Sequence, residues 1–202
     1  MEDSLFIEGI KKVDDDCYRD IRDRENLSVY KSLLEELWRA YRPYADRDFR
    51  IKLARDFKAG FWEMYLTCTL LENELPVQLK RSREGPDILV ELGGHRIWIE
   101  AIAPGPGDEA NPDKVPEWGC RPLEIRPVPD DQIILRLRNA ISVKFDEKYH
   151  EYSDKVVLPS DAYIIAIGSS KIPLSGDYEP PRIVRSVFPC GYPQVTIDKI
   201  TN

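Results

Sequence analysis

The dipeptide Gly93-Gly94 constrains this chain more than any other feature of its sequence. Two glycines between runs of alternating apolar and polar residues specify a two-residue hairpin, because the favoured tight turns need positive φ at their central positions. With these two as the loop, Leu92 pairs with His95 and the other opposed positions follow: Glu91 with Arg96, Leu89 with Trp98, and Asp87 with Glu100. The first of these is an ion pair and the second a packed apolar contact, as cross-strand pairing favours. The third sets two carboxylates opposite one another, with Cβ atoms about 5 Å apart. Like charges so placed are destabilising, more so beside Ile88, Ile99 and Ala101. A divalent cation offsets that repulsion, and hard oxygen ligands suit Mg²⁺ or Mn²⁺. The plainer alternative is a frayed hairpin end with both side chains in water.

The segments around the hairpin predict a mixed α/β domain. A short helix is expected around 3–12, followed by a solvated segment in which Asp14-Asp15-Asp16 is an ordinary acidic run. Asn26 can cap a helix whose apolar positions Val29, Leu33, Leu34, Leu37, Trp38 and Tyr41 recur at three and four, and which ends at Arg42-Pro43. A second helix over 46–72 carries Ile51, Ala54, Phe57, Phe61, Met64, Cys68 and Leu71 on one face, with Gly60 marking a bend or a close contact. The period then falls to two. Strands are predicted over 77–81, 87–92 and 95–103, a long loop over 104–128, and a third helix from 129 to about 153. The run Ala162–Gly168 suits a central buried strand; 183–188 suits a short helix and 194–198 a last strand. This order implies a mixed sheet with helices on its faces.

Glu63 adds to the acidic pair. Its neighbours three and four positions away are Ala59, Gly60, Leu66 and Thr67, so no Lys or Arg partners it within the helix. A carboxylate on such a stripe finds its partner on another element, or else lies at a solvated helix edge.

Gly85-Pro86-Asp87, followed after the hairpin by Ile99-Glu100-Ala101-Ile102, resembles the second and third motifs of the PD-(D/E)XK nuclease superfamily. Phe61-Trp62-Glu63-Met64-Tyr65-Leu66 resembles its first motif, a Glu on the helix before the sheet. The resemblance covers roughly 46–170 and implies a restriction-endonuclease-like core over 46–202, with 1–45 as an N-terminal helical extension. It implies Asp87 and Glu100 as metal ligands, Glu63 as a third ligand directly or through water, and the carbonyl of Ala101 as a fourth. The implied cofactor is Mg²⁺ or Mn²⁺. The implied reaction is phosphodiester hydrolysis, on DNA before RNA. One position departs: the family's Lys belongs at 102, and Ile102 stands there. Such a Lys can come from another element. Lys144, at the edge of the third helix's stripe beside Leu137 and Ile141, is the first candidate and Lys80 the second, although either can be an ordinary snorkelling surface residue. A catalytically inactive nuclease fold serving as a binding or scaffold module is the main rival, and an unrelated α/β protein with a coincidental acidic triplet is a third possibility.

The net charge of −7 argues against a protein that coats nucleic acid through bulk positive charge, though not against an enzyme with locally clustered cations. The four cysteines are too scattered for a zinc or redox motif. His95 and His150 lack local partners, and neither a Walker A nor a nucleophile-elbow motif is present. The acidic start Met1-Glu2-Asp3-Ser4 and the lack of a long apolar run predict a cytoplasmic protein without membrane spans; a homodimer is compatible with the sequence.

Overall fold

The computed structural model describes residues 4–8, 15–79, 85–117, 127–153, 155–176 and 179–191. It shows a mixed α/β arrangement in which a three-stranded sheet is held between helices on its two faces. No helix among the described residues is long and apolar enough to cross a membrane.

The first half is helical. Helix α1 (Asp16–Asp23) is capped by Asp15, whose Oδ1 accepts from the Tyr18 amide, while its other oxygen accepts from the amide of Phe57 at 2.9 Å. Asp15 is therefore a structural cap at two helix starts rather than part of a solvated run. Residues 4–8 form no helix, and the remainder of the helix expected at 3–12 falls outside the described residues. Helix α2 (Ser28–Tyr41) buries Leu34, Trp38 and Tyr41 but leaves Val29 and Leu33 in solvent, so its inner stripe is narrower than the periodicity suggests.

The helix expected over 46–72 is two helices, α3 (Phe49–Arg55) and α4 (Phe57–Glu72). The break falls at Asp56, in an extended backbone conformation, and its Oδ1 caps α4 by accepting from the Ala59 amide. Gly60 is the close contact and not the bend: a Cβ there would lie 2.7 Å from Leu53 Cδ1. Removal of that side chain lets α3 fold back onto α4. The two helices share a core with α1 and α2 in which Leu5, Tyr18, Tyr41, Phe49, Leu53 and Met64 are buried almost completely.

The hairpin forms as its glycines require, with φ of 60° at Gly93 and 81° at Gly94. Strand β1 (Ile88–Leu92) runs antiparallel to β2 (His95–Ile102), with Leu92 opposite His95, Glu91 opposite Arg96, Leu89 opposite Trp98 and Ile88 opposite Ile99. Strand β3 (Ala162–Ile167) lies parallel to β2 on its other side. The middle strand among the described residues is thus β2, and β3 is not the central buried strand its apolar run suggests; Ile164 is nearly half exposed. Of the strand expected at 77–81, the described residues 77–79 form a single bridge, Val77 with Val90, flanked by bonds from Gln78 N to Leu89 O and from Glu91 N to Pro76 O, and 80–81 lie outside the described residues. The strand expected at 194–198 falls outside the described residues.

The two sheet faces carry different partners. Ile88, Val90, Ile97, Ile99 and Ala166 meet Leu66 and Leu70 of α4, and Trp62 of the same helix donates to the Ala166 carbonyl at 3.0 Å. A Cβ on Gly168 would strike the Trp62 ring, so this glycine is what lets α4 sit against the end of β3. The opposite face, by strict alternation, presents Trp98, Glu100 and Ile102 of β2 beside Tyr163, Ile165 and Ile167 of β3. It is covered by helix α5 (Asp130–Val143), whose Ile133 and Leu137 cluster with Val115, Ile167 and Ile172. That helix continues through a π-helical turn over Lys144–Tyr149 into α6 (His150–Tyr152). Helix α7 (Arg182–Val187) packs on α5 and is tied to it by Arg182 and Arg185, which both donate to Asp130.

Candidate active site

Glu100 is the central element of the site. It sits in the middle strand, on the face under α5, with only 5% of its surface exposed. A buried carboxylate needs a partner. Lys144 supplies it, donating from Nζ to Glu100 Oε1 at 2.7 Å. The route is plain in the topology: the helix that follows the sheet returns across the face on which Glu100 points. The π turn begins at Lys144 itself. Three residues beyond Ile141 and seven beyond Leu137, Lys144 is in helical phase with the inner face of α5, whereas Phe145 beside it is 46% exposed. Ile102, where the family motif has Lys, is buried on the same face.

Asp87 lies one residue before β1. The hairpin register, continued by one step from Ile88 opposite Ile99, sets it across from Glu100. Its carboxylate is turned to the backbone, where Oδ2 accepts from the Ala101 amide at 2.8 Å. The two opposed acids are thus relieved by different donors, one by an ammonium and the other by a main-chain N–H. At Ala101 the group seen to meet Asp87 is the amide.

Glu63 reaches the region from the other layer, since α4 covers the opposite sheet face. Its Oε1 accepts from the Tyr41 hydroxyl at 2.5 Å. Among the described residues, no three His, Cys, Asp or Glu side chains come close enough together to hold one metal ion. The expected convergence of Glu63 with Asp87 and Glu100 is therefore not what the structure displays. The cause is layer order: α4 and α5 sandwich the sheet, and a side chain on α4 has to pass the sheet's end to reach Glu100. Lys80 lies outside the described residues.

The acids nevertheless form one electrostatic neighbourhood. Burial, then the charges of Glu100 and Asp87, push the Tyr152 hydroxyl up to about 12. Burial, Glu100, Tyr152 and Asp87 raise the Tyr163 hydroxyl in the same way. In the other layer, Tyr41 is raised by burial, by Glu63 and then by Asp87. Asp87 contributes to all three. Sequence reasoning missed these tyrosines, because phenols around an acidic site have no spacing rule; only the fold collects them.

A cleft of about 800 Å³ opens beside Asp87, bounded by Tyr41, Thr67, Trp98 and Val156 and carrying Arg96 and Lys155. The Trp98 indole is fixed by its Nε1, which donates to Asp161 Oδ2 at 3.0 Å. The site thus has a buried carboxylate–ammonium pair, a second carboxylate at the strand edge and a cleft leading to it. No family model, curated protein or solved structure matches this chain.

Proposed function

We propose that this chain is a metal-dependent nuclease with a restriction-endonuclease-like core, acting on phosphodiester bonds in nucleic acid, DNA before RNA. The observation that carries the reading is the Lys144–Glu100 contact. A lysine absent from its motif position, where Ile102 stands, is supplied from the next helix onto the same acid.

The donors available to a cation are carboxylate oxygens, which match Mg²⁺ or Mn²⁺. Asp87 and Glu100 would hold the ion, with Glu63 a layer away contributing through water. When bound, such an ion lowers the pKa of a ligated water and stabilises charge on the phosphodiester. Glu100, pinned in the middle strand, keeps a carboxylate at a fixed place. Asp87 is held at the hairpin edge by the Ala101 amide. Lys144 brings a positive charge to the same face, where it would stabilise the additional negative charge of the phosphoryl transition state. Lys155 along the cleft would meet a backbone phosphate of the nucleic acid, while Arg96 beside it is held by the Val156 carbonyl and Asp161.

Cleavage of labelled single- and double-stranded DNA and RNA with Mn²⁺ tests the assignment. Glu100→Ala is expected to abolish activity, and Lys144→Ala to lower it on the order of 10²-fold. Full activity in Lys144→Ala would remove the relocated-lysine argument. Ile102→Lys, which restores the motif residue, is expected to rescue Lys144→Ala in part.

A second reading, an inactive nuclease fold that binds nucleic acid, is favoured by Ile102 and by the Tyr41 bond that occupies Glu63. Binding without cleavage in any variant, Ile102→Lys included, would select it.

A further inference from the structure

A second cavity lies on the Glu100 face of the sheet, against Tyr163, Ile165 and Ile167 of β3. Its volume is about 580 Å³, within the rough 300–1,000 Å³ range of small-molecule sites. Leu137, Ile141, Phe145, Tyr149, Tyr163 and Ile165 form its apolar and aromatic side, and residues of α7 and the segment before it line most of the rest. Three observations mark it as more than a packing gap.

The first is aromatic. Phe145 and Tyr149 lie 5.1 Å apart and almost parallel, at 5°, and Tyr149 meets the Tyr163 ring at 5.1 Å in a tilted contact. Phe145 is nearly half exposed, and the two tyrosines are partly buried. The second is polar. Tyr163 lines the cavity, and its hydroxyl is buried behind that surface with no hydrogen-bond partner among the described residues. Buried polar groups are nearly always paired, so an unpaired phenol calls for a partner from outside the described residues. The third is placement. Phe145 follows Lys144 directly, and Tyr163 and Ile165 sit on β3 beside Trp98 and Glu100. The rings are carried on the π turn, an irregularity that is common at functional sites.

We infer that this cavity receives an unstacked nucleobase of the substrate, stacked against the Phe145–Tyr149 pair, with a turn of the Tyr163 ring bringing its hydroxyl to an edge atom of the base. The inference rests on the nuclease reading for its choice of ligand and deepens it. A planar, π-faced group with polar atoms on its edge fits both the stack and the lone hydroxyl, whereas an aliphatic ligand satisfies neither. A base can enter only if it is out of a duplex, so the substrate is a single strand, an end or a flipped nucleotide. A nucleotide held there would place its own phosphate toward Lys144.

The test is 2-aminopurine fluorescence of a single-stranded oligonucleotide titrated with the protein in EDTA, so that no cleavage intervenes. Saturable quenching is expected, with an equal-length duplex binding at least tenfold more weakly. Tyr163→Phe should weaken the quenching titration roughly threefold to tenfold, the loss of one hydrogen bond. Phe145→Ala, at a half-exposed position, should weaken it by a similar factor with little change in folding. Ile165→Trp, which fills the cavity, should remove it. Equal quenching by single strand and duplex, or quenching unaffected by both Ile165→Trp and Phe145→Ala, would overturn the proposal. The two readings fail separately. Quenching that follows these variants without Mn²⁺-dependent cleavage sinks the nuclease alone, while cleavage without variant-sensitive quenching sinks the base pocket alone.

Discussion

The helical half of the molecule and its sheet half are held together by different means. From Leu5 to Cys68 the interior is one apolar body: Trp38 and Phe49 stack at 7°, the Tyr41 ring lies 4.7 Å from Phe49, and Leu53 and Met64 are completely buried. Beyond Pro86 the apolar clusters are small, one of Ile88, Val90 and Ile99 and another of Val115, Ile133, Leu137 and Ile172. Charged contacts fill in between them: Arg136 with Asp113, Arg182 and Arg185 with Asp130, and Lys144 with Glu100. Apolar packing is indifferent to salt and to modest pH changes, whereas a lattice of ion pairs responds to both. The candidate site lies in the half that carries the buried ion pairs. In the proposed function, a cation or a phosphate would redistribute those charges.

The largest effect that bears on this contrast is core truncation. Leu53→Ala removes a side chain packed between Gly60 and the aromatic core, and is expected to cost about 3–5 kcal/mol. Leu137→Ala, in the smaller cluster under α5, should cost about 2–3 kcal/mol, because a thinner core can collapse around the gap. Urea midpoints at constant m-value measure both. Equal losses would break the comparison, since the two halves would then be packed alike.

Much of the sheet was legible in the sequence, and for a local reason. Gly93 and Gly94 admit few turn geometries, and once the loop is fixed each strand position acquires a partner. Lys144 was legible through topology, because a helix that follows the sheet returns across the face carrying Glu100. Layer identity was not legible. The stripe of α4 shows which side of the helix is buried, but not which face of the sheet it meets, so Glu63 was expected beside Glu100 and is found on Tyr41. The break at Asp56 was hidden because its carboxylate can cap a helix as readily as it can sit within one, and the periodicity of α3 runs nearly in phase with that of α4. The π turn left no trace in the apolar pattern. Val29 and Leu33 show the converse error, apolar positions in helical phase for which the fold has no covering layer.

Next in size is the buried ion pair. Lys144→Ala leaves Glu100, 7% exposed in its side chain, without its ammonium, and should destabilise the metal-free protein by about 1.5–3 kcal/mol. Glu100→Gln in the same background should recover part of that loss, since no charge is then left buried. Mg²⁺ is expected to raise the melting temperature of Lys144→Ala more than that of the wild type, because the cation replaces the missing charge where the ammonium no longer competes. A melting temperature unmoved by Mg²⁺ and Mn²⁺ in both proteins would remove the metal from the proposed function and leave the pair as purely structural.

The smallest expected effect separates the halves by alkaline titration. Burial, Glu100 and Asp87 raise the folded-state pKa of Tyr152 from the ordinary 10.0 to about 12, while in the helical half burial and then Glu72 raise Cys68 from 9.0 to about 11. Both groups are acids held in their neutral form by the fold. Their contributions to stability are therefore complete below the unfolded-state values and are lost as pH rises, from about 9 to 11 for Cys68 and from about 10 to 12 for Tyr152. Glu100→Gln removes the larger of the nearby charges from Tyr152 and none of those acting on Cys68. The tyrosine should then titrate at lower pH, by less than its whole displacement because burial remains the leading cause, and the thiol should not move. Carbon-13 resonances of the Tyr152 Cζ and the Cys68 Cβ, followed against pH, read the two groups independently. Movement of Tyr152 alone would place Glu100 within its field and keep the acids of the site electrically separate from the helical core. Parallel movement of Cys68 would mean that the charge is felt across the sheet, and that the two halves do not divide into an apolar body and an electrostatic one.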